Sequence, residues 1–306
     1  MLNIIRMNWY RLWNTPSMII LLFLTAGMAF FSGTMEVEDV KLMQENQEKN
    51  AVITVLPKED TNTENTTSEE TGETDDVEIG LFVNTPYGED EKPAEFLRFL
   101  IADMSAGMPL LFICIAVVLF ANHEEKSGFI KNISGQVKHR SSIYIGKIAV
   151  MAIYIVLLLL VYGAVQYIAL QIGFKGEMNV GASLFPSFLK TFAVLYLLYL
   201  AFASGLMMLT AILKNNTIGI VTGLFSLCGV TGLLLGLFDT LLGKIVDFDT
   251  EKFSFVKYSV SGCLREAGAL FGNSADGMVR MIVVGIIFLI VYNGIGNCVF
   301  AKRDVV

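Results

Sequence analysis

The charged segment His123–Lys147, HEEKSGFIKNISGQVKHRSSIYIGK, lies between two long apolar runs and is the densest basic stretch of an otherwise acidic chain. Apolar runs on both sides of a short basic segment are typical of two membrane helices joined on the cytoplasmic side. The composition agrees, because 54% of the 306 residues are hydrophobic and only 17% are charged. The segment therefore predicts a membrane protein, in which it forms a short docking helix rather than a bare connector.

Six apolar runs reach the length that crosses a bilayer, roughly 20 mostly apolar residues in a helix. The third run is long enough to be tilted, and the first lacks a cleavage site and is expected to be retained. The sequence thus predicts an all-α membrane protein with six transmembrane helices. Their expected bounds are Pro16–Gly33, Met104–Ala121, Ile143–Ile172, Phe188–Leu213, Thr217–Phe238 and Val279–Ala301.

The distribution of charge predicts the orientation, because basic residues concentrate in cytoplasmic loops. Residues 34–103 hold 19 acidic and 5 basic residues, a net charge of −14; the whole chain carries −7, so the remainder carries +7. Both termini are then expected in the cytoplasm of a bacterial cell, with the chain in its plasma membrane. The basic residues that set this orientation are Arg6, Arg11, Lys126, Lys131, Lys138, Arg140, Lys147, Lys214, Lys302 and Arg303.

Residues 34–103 form an acidic extracellular insert of roughly 70 residues. Its centre, Glu59–Glu78, lacks aromatic residues and is expected to be disordered. Val52–Leu56 and Ile79–Val83 have the composition of strands and predict a small hairpin around that centre. The alternative is that Glu36–Asn50 extends the first helix outward. The insert either binds a substrate or is a solvated insertion.

Three further segments are expected at the membrane surface. Residues 1–15 contain Trp9, Tyr10 and Trp13 among basic residues and predict an interfacial amphipathic helix. Residues 122–142 form the cytoplasmic coupling segment. Residues 239–278, which include the aromatic Phe255 and Tyr258, predict short re-entrant or interfacial helices on the outer side.

The residue types missing from the six runs restrict the function. None of the runs contains Asp or Glu, and both histidines lie in the cytoplasmic segment. Lys147, Lys190 and Arg280 lie near run ends, where long side chains reach the interface. The four cysteines have no metal-binding spacing, and no phosphate-binding loop occurs. We therefore expect no enzyme, no cofactor in this chain, and no coupling to an ion, so that transport would need a partner as energy source.

Small and polar residues within the runs predict helix contacts. Glycines recur at packing spacing in the fifth run, and Ala201 and Gly205 do so in the fourth. The amides of the third and sixth runs are expected to bond between helices or to form a polar stripe that faces a substrate. The candidates for packing or a pathway are Gly219, Gly223, Gly229, Gly232, Gly236, Asn293 and Asn297, with Gln166 and Gln171 in the third run.

The pattern Glu124-x-x-x-Gly128-x-x-Lys131-Asn132, followed by Gly135, Arg140 and Gly146-Lys147, resembles the segment after the second helix in ABC-2 type permeases. These are the membrane subunits of ATP-binding-cassette exporters. The tail Phe300–Val305 and the aromatic, basic stretch Met1–Thr15 are also similar to that family. The resemblance covers nearly the whole chain in span count, order and topology, whereas the long insert departs from its small permeases.

The resemblance implies that a short cytoplasmic helix docks in a groove of a separate ATPase, which binds ATP and Mg. Two permeases, identical or different, would form a dimer with the substrate path between them. An amphipathic helix on anionic lipid would fit the basic content of the segment equally well. The docking residues implied are Glu124 and Glu125 at the start of the helix, Lys126, Gly128, Phe129, Ile130, Lys131 and Ile133.

Two classes of function follow. The first is the permease of an exporter for a hydrophobic or amphipathic substrate, such as a membrane-active peptide, a lipid or a drug, with a role in multidrug or antimicrobial peptide resistance. The second is a membrane sensor, immunity subunit or scaffold that presents the acidic insert without transport. The cytoplasmic segment favours the first class.

Overall fold

A computed structural model gives the fold, and it describes residues 2–55, 95–126, 141–176, 178–213, 216–246, 254–269, 271 and 275–302. Within these ranges the chain is almost entirely helical and contains no strand. The helices are α1 (Leu2–Asn14), α2 (Pro16–Val55), α3 (Phe96–Ala106), α4 (Met108–Lys126), α5 (Ser141–Gly173), α6 (Phe185–Leu213), α7 (Asn216–Leu227), α8 (Val230–Val246), α9 (Val260–Ala269) and α10 (Ala275–Lys302).

Four stretches of helix are long and apolar enough to cross a membrane: Pro16–Leu42, Ser141–Gly173, Ala182–Leu213 and Gly277–Ala301. Two bent pairs, α3 with α4 and α7 with α8, reach that length only when each pair is taken together. The expected all-α membrane fold is therefore confirmed, with four to six spans by length and composition. The count of six stays a prediction.

Each bent pair breaks at a glycine in the left-handed backbone region. Gly107 has φ +88° between α3 and α4, which meet at 49°, and Gly229 has φ +77° between α7 and α8, which meet at 72°. Residues other than glycine rarely adopt such angles. Pro109 reinforces the first break, because proline is tolerated only in the first turn of a helix. Apolar runs that look continuous in the sequence are therefore broken helices.

The first membrane helix is much longer than the apolar run that predicted it. α2 continues from Pro16 to Val55 without interruption. Of the two alternatives for this part of the insert, the outward extension of the first helix through Glu36–Asn50 is therefore correct, and the strand expected at residues 52–55 is wrong. Tertiary packing explains the extension, since Val37 and Val40 are buried beyond the apolar run. The expected disorder at Glu59–Glu78 and the second strand at Ile79–Val83 lie outside the described residues.

Two long helix pairs organise the bundle: α2 packs along α5, and α6 packs along α10. α4 lies between them and contacts α6 and α7, while α9 covers α3 and α6. Buried tyrosines join these helices through backbone carbonyl groups. Tyr154 of α5 donates to the carbonyl of Met18 at 3.0 Å, and Tyr199 of α6 donates to that of Met104 at 2.5 Å.

The outer surface of the bundle is apolar along whole helix faces. On α2 the exposed side chains include Ile20 and Phe23, and on α10 they include Val279, Ile287 and Ile290. Exposed apolar surface on this scale is unfavourable in water and is normal in contact with lipid or a partner. These faces agree with a chain embedded in a membrane.

Candidate functional site

A carboxyl cluster lies between α2, α3 and α5, and its centre is Asp103. One carboxylate oxygen of Asp103, Oδ2, accepts three hydrogen bonds: from Ser32 Oγ at 2.6 Å, Tyr162 Oη at 2.7 Å and Gln166 Nε2 at 2.8 Å. The second carboxyl group of the cluster belongs to Glu36. We call these five residues the carboxyl cluster.

Glu36 completes the cluster from α2. Its two oxygens accept hydrogen bonds from Gln166 Nε2 at 3.2 and 3.4 Å, and its side chain also lies in hydrogen-bonding contact with that of Asp103. Glu36, Asp103 and Gln166 are all 0% exposed. In the part of the chain that the structure describes, no Lys or Arg forms an ion pair with either carboxyl group.

The carboxyl cluster corrects the expectation that the spans contain no Asp or Glu. Glu36 lies within the candidate span Pro16–Leu42, and Asp103 lies in the helix that opens the first bent pair. Sequence reasoning ended the first run at Gly33 and began the second at Met104, because hydropathy falls at those points. The i, i+4 pairs Ser32/Glu36 and Tyr162/Gln166 were the signal that could have indicated a shared polar stripe.

An apolar cavity of about 570 Å³ is bounded by α6, α7, α8, α10 and the segment before α9. Its wall consists mainly of apolar side chains, to which hydroxyl groups add scattered polar points. The aromatic lining residues are Phe202, Phe255, Tyr258, Phe288 and Tyr292, and the hydroxyl residues are Thr222, Ser226, Thr231, Ser259 and Ser261. Such a lining suits a ligand that is largely apolar with a few hydrogen-bonding groups.

Residues 254–261 form part of the wall of the apolar cavity and are held from two sides. Asp239 of α8 accepts hydrogen bonds from Ser254 Oγ at 2.8 Å and from the backbone N–H of Phe255 at 3.1 Å. On the other side, Arg280 of α10 lies 5.9 Å from the centre of the Tyr258 ring and forms an ion pair with Glu266 of α9. Helix α9 lies in the region where the sequence predicted short re-entrant or interfacial helices.

Helix α9 also carries Cys263, which is buried and free. Burial raises the pKa of this thiol to about 11, so it stays protonated at neutral pH. A protonated buried thiol is a poor nucleophile and a poor metal ligand. Within the described ranges, no group of three or more His, Cys, Asp or Glu side chains is placed to hold a metal ion.

The expected ATPase-docking residues lie mostly beyond what the structure describes. The backbone of Glu124, Glu125 and Lys126 forms the end of α4, and their side chains are not described. The backbone of these residues therefore continues α4, and their role in docking an ATPase stays a prediction. Gly128, Phe129, Ile130, Lys131 and Ile133 lie outside the described residues.

The glycines expected to pack helices occupy different environments. A Cβ atom added at Gly223 would lie 1.9 Å from Cys114 Sγ, and one at Gly219 would lie 3.1 Å from Val118, so both glycines face α4 closely. Gly229 forms the break before α8. A Cβ atom at Gly232 would have no neighbour within 4 Å.

The expected buried amides and the lysine near the third run also have defined places. Asn293 Nδ2 donates to Ser204 Oγ at 3.3 Å and so joins α10 to α6. Asn297 lies one turn later, and its Oδ1 has no partner in the described part of the chain. Lys147 is 4% exposed, with its Nζ 4.9 Å from the centre of the Phe300 ring, so it is buried rather than extended to the interface.

The long apolar helices, their broken pairs and the apolar outer faces define the class: a multi-spanning α-helical membrane protein. A family model described as "Protein of unknown function (DUF2705)" matches residues 77–306. The chain therefore belongs to the DUF2705 family. No curated protein matches it.

Proposed function

We propose that this chain is the membrane-spanning permease subunit of an ATP-driven ABC-2 type exporter, which moves a hydrophobic or amphipathic substrate. The observation that carries the proposal is the apolar cavity between α6, α8 and α10. Its volume of about 570 Å³ falls in the range of pockets that bind small organic molecules, roughly 300–1,000 Å³. A membrane-active peptide segment, a lipid tail or a lipophilic drug has the chemistry that this wall would accept.

The segment 254–261, which forms part of the cavity wall, offers a route for release. Residues 254–261 are held by Asp239 through two hydrogen bonds and lie beside the Arg280–Glu266 ion pair. Movement of this segment would break these interactions, and gating segments are generally drawn from the less stable parts of a fold. In the proposed orientation, with both termini in the cytoplasm of a bacterial cell, this segment faces outward.

A second permease would complete the transporter. α8 exposes Leu234, Leu237 and Leu241, and α10 exposes Ile287 and Ile290. Both helices border the apolar cavity. A partner permease that covers these faces would place two cavities beside one shared interface, which agrees with the dimer implied by the resemblance.

The source of energy in this proposal rests on the resemblance and on the docking residues. The carboxyl cluster removes the earlier argument that no ionisable group within the spans is available for coupling to an ion. ATP hydrolysis by a partner chain that docks at residues 122–142 therefore needs a direct test.

The test is co-purification of the chain from its native membranes, followed by identification of a cytoplasmic ATPase in the same fraction. A docking variant carries Glu124→Ala, Phe129→Ala and Ile130→Ala. A matched control carries the same three residue types changed at exposed positions elsewhere in the chain, Glu38→Ala, Phe185→Ala and Ile172→Ala.

An ATPase that accompanies the parent and the control but not the docking variant supports the proposal. If no ATPase accompanies the parent even after mild crosslinking, the exporter proposal fails. A sensor, immunity subunit or scaffold that presents residues 34–103 then becomes the better account. Loss of the ATPase from both variants would show that the effect is not specific to the docking segment, and would contradict its role.

A further inference from the structure

We propose that Glu36 and Asp103 form a proton-binding site inside the helix bundle, in which Glu36 holds one proton and Asp103 is ionised. The ligand is a single proton, and its release would change the contact between α2 and α3. This inference does not depend on the exporter proposal, because it rests only on the carboxyl cluster.

The unequal hydrogen bonding of the two carboxyl groups identifies which one is ionised. Asp103 Oδ2 accepts three hydrogen bonds of 2.6 to 2.8 Å, a pattern that stabilises a carboxylate. Glu36 accepts only from Gln166, at 3.2 and 3.4 Å. The protein therefore stabilises a negative charge on Asp103 much better than one on Glu36.

Two buried oxygen atoms indicate that a donor is missing from the cluster when both carboxyl groups are treated as ionised. Asp103 Oδ1 and Gln166 Oε1 have no hydrogen-bond partner among the described residues, and both side chains are fully buried. Both atoms are acceptors, so the cluster lacks a hydrogen and not an acceptor. A proton on Glu36, whose side chain contacts that of Asp103, supplies a donor to the pair.

The titratable groups around the pair do not neutralise it. Tyr162 of α5 donates to Asp103, and Tyr199 of α6 acts on it from further away. Asp39, one turn along α2 from Glu36, adds negative charge. Two ionised carboxyl groups in this apolar setting would repel each other, and no described cation offsets their charge. A bound proton neutralises one of them and needs no space for a larger cation.

Charged side chains elsewhere on the neighbouring helices have other partners. On α3, Arg98 pairs with Glu95, and on α9, Glu266 pairs with Arg280. Arg265 of α9 lies against Gly229. None of these cations forms an ion pair with the carboxyl cluster within the described part of the chain, so the proton alone sets its charge.

Release of the proton has a defined consequence. The O–H bond of Glu36 breaks, the proton passes to water, and the charge of the pair changes from −1 to −2. The hydrogen bond from Glu36 to Asp103 is lost at the same time, and repulsion replaces it. α2 and α3 then move apart, and they are the two helices that flank residues 56–94 in the chain.

The experiment is infrared spectroscopy of the purified full chain in lipid vesicles across a range of pH. A protonated carboxyl group has a C=O band that an ionised carboxylate lacks. We expect this band at neutral pH, where exposed carboxyl groups, with a pKa of about 4, are ionised. The band should disappear in Glu36→Gln and persist in the matched control Glu38→Gln, an exposed carboxyl group two residues away on the same helix.

The amide of Glu36→Gln can still donate to Asp103, so this variant keeps the hydrogen bonds of the folded cluster. A second measurement needs no variant: ¹³C labelling of all aspartate carboxyl groups should leave the band in place, and labelling of glutamate should shift it. The proposal is overturned if the band is absent at neutral pH, if it survives in Glu36→Gln, or if aspartate labelling shifts it. Loss of the band on addition of sodium chloride at constant pH would also overturn it, in favour of a sodium site.

Discussion

The carboxyl cluster and the apolar cavity both contain hydroxyl groups inside a membrane bundle, but they use them in opposite ways. In the cluster, Ser32 and Tyr162 converge on one carboxylate oxygen and join three helices. In the cavity, hydroxyl groups such as those of Thr222 and Ser261 are spread around about 570 Å³ of open space. Convergent polar groups fix helices relative to one another, whereas dispersed ones leave room for a ligand. Substitutions in the two regions should therefore affect different properties.

The largest expected effect is on stability and comes from the centre of the cluster. Asp103→Ala leaves Ser32, Tyr162 and Gln166 without their shared acceptor, at about 1 kcal/mol for each, so the free energy of unfolding should fall by roughly 3 kcal/mol. Thermal unfolding in detergent measures this change. Glu38→Ala, at an exposed position of α2, is the control and should change it by less than about 0.5 kcal/mol. Equal losses in the two variants would contradict the structural role of the cluster.

The next effect is the dependence of stability on pH. The folded pair holds a proton that an unfolded glutamate releases near pH 4.3, roughly its ordinary value, so unfolding above that pH releases a proton. Stability should therefore fall as pH rises, by up to about 1.4 kcal/mol per pH unit for one proton. Unfolding temperatures across a pH series would show this slope in the parent and its loss in Glu36→Gln. A variant as steep as the parent would place the proton elsewhere.

A smaller effect is expected where α7 meets α4. Gly223→Ala places a methyl group against Cys114 Sγ, and the helices must separate, which should lower the free energy of unfolding by about 1 kcal/mol or more. Gly232→Ala meets no atom within 4 Å and should be neutral or slightly stabilising. Unfolding midpoints of the two variants give the comparison. An unaffected Gly223→Ala would mean that α7 does not pack closely on α4.

The smallest effect on stability, and the largest on ligand binding, is expected in the apolar cavity. Ser226→Phe places a ring in the cavity and should weaken binding of a lipophilic fluorescent probe about tenfold, or about 1.4 kcal/mol. Thr240→Phe, at an exposed position of α8, introduces the same ring outside the cavity and is the control. Fluorescence titration measures both. Equal binding by the two variants would remove the cavity as the ligand site.

The sequence predicted the helical membrane fold because hydropathy reports how the chain meets lipid. It did not predict where α2 ends, because Glu36 and Val37 are held in the bundle by Gln166 and Gly173 of α5, contacts between positions more than 100 residues apart. It also missed the breaks at Gly107 and Gly229, since an apolar glycine-containing run has the same hydropathy whether the helix is straight or bent.

The sequence did not predict either of the two candidate sites, and the physical reason differs between them. The two carboxyl groups of the cluster lie just beyond the ends of two predicted apolar runs. Glu36 and Asp103 were therefore assigned to the external insert, as its first and last acidic residues. The cavity depends on the angle between α7 and α8, which no local pattern encodes. The sequence predicts that the Gln166 amide bonds between helices, but it does not identify the two carboxyl partners.

The bend at Gly229 has a consequence for the thickness of the surrounding lipid. At 1.5 Å per residue, α7 and α8 are about 18 Å and 26 Å long, and a straight helix of their summed length would exceed any bilayer core. Bent by 72°, the pair measures only about 36 Å from end to end, against the roughly 30 Å of a hydrocarbon core. If the pair crosses the membrane as one span, as the predicted count of six requires, it has little spare length, and a thicker membrane would have to thin around it. Acyl-chain length is therefore expected to act directly on the geometry of the cavity that this pair encloses.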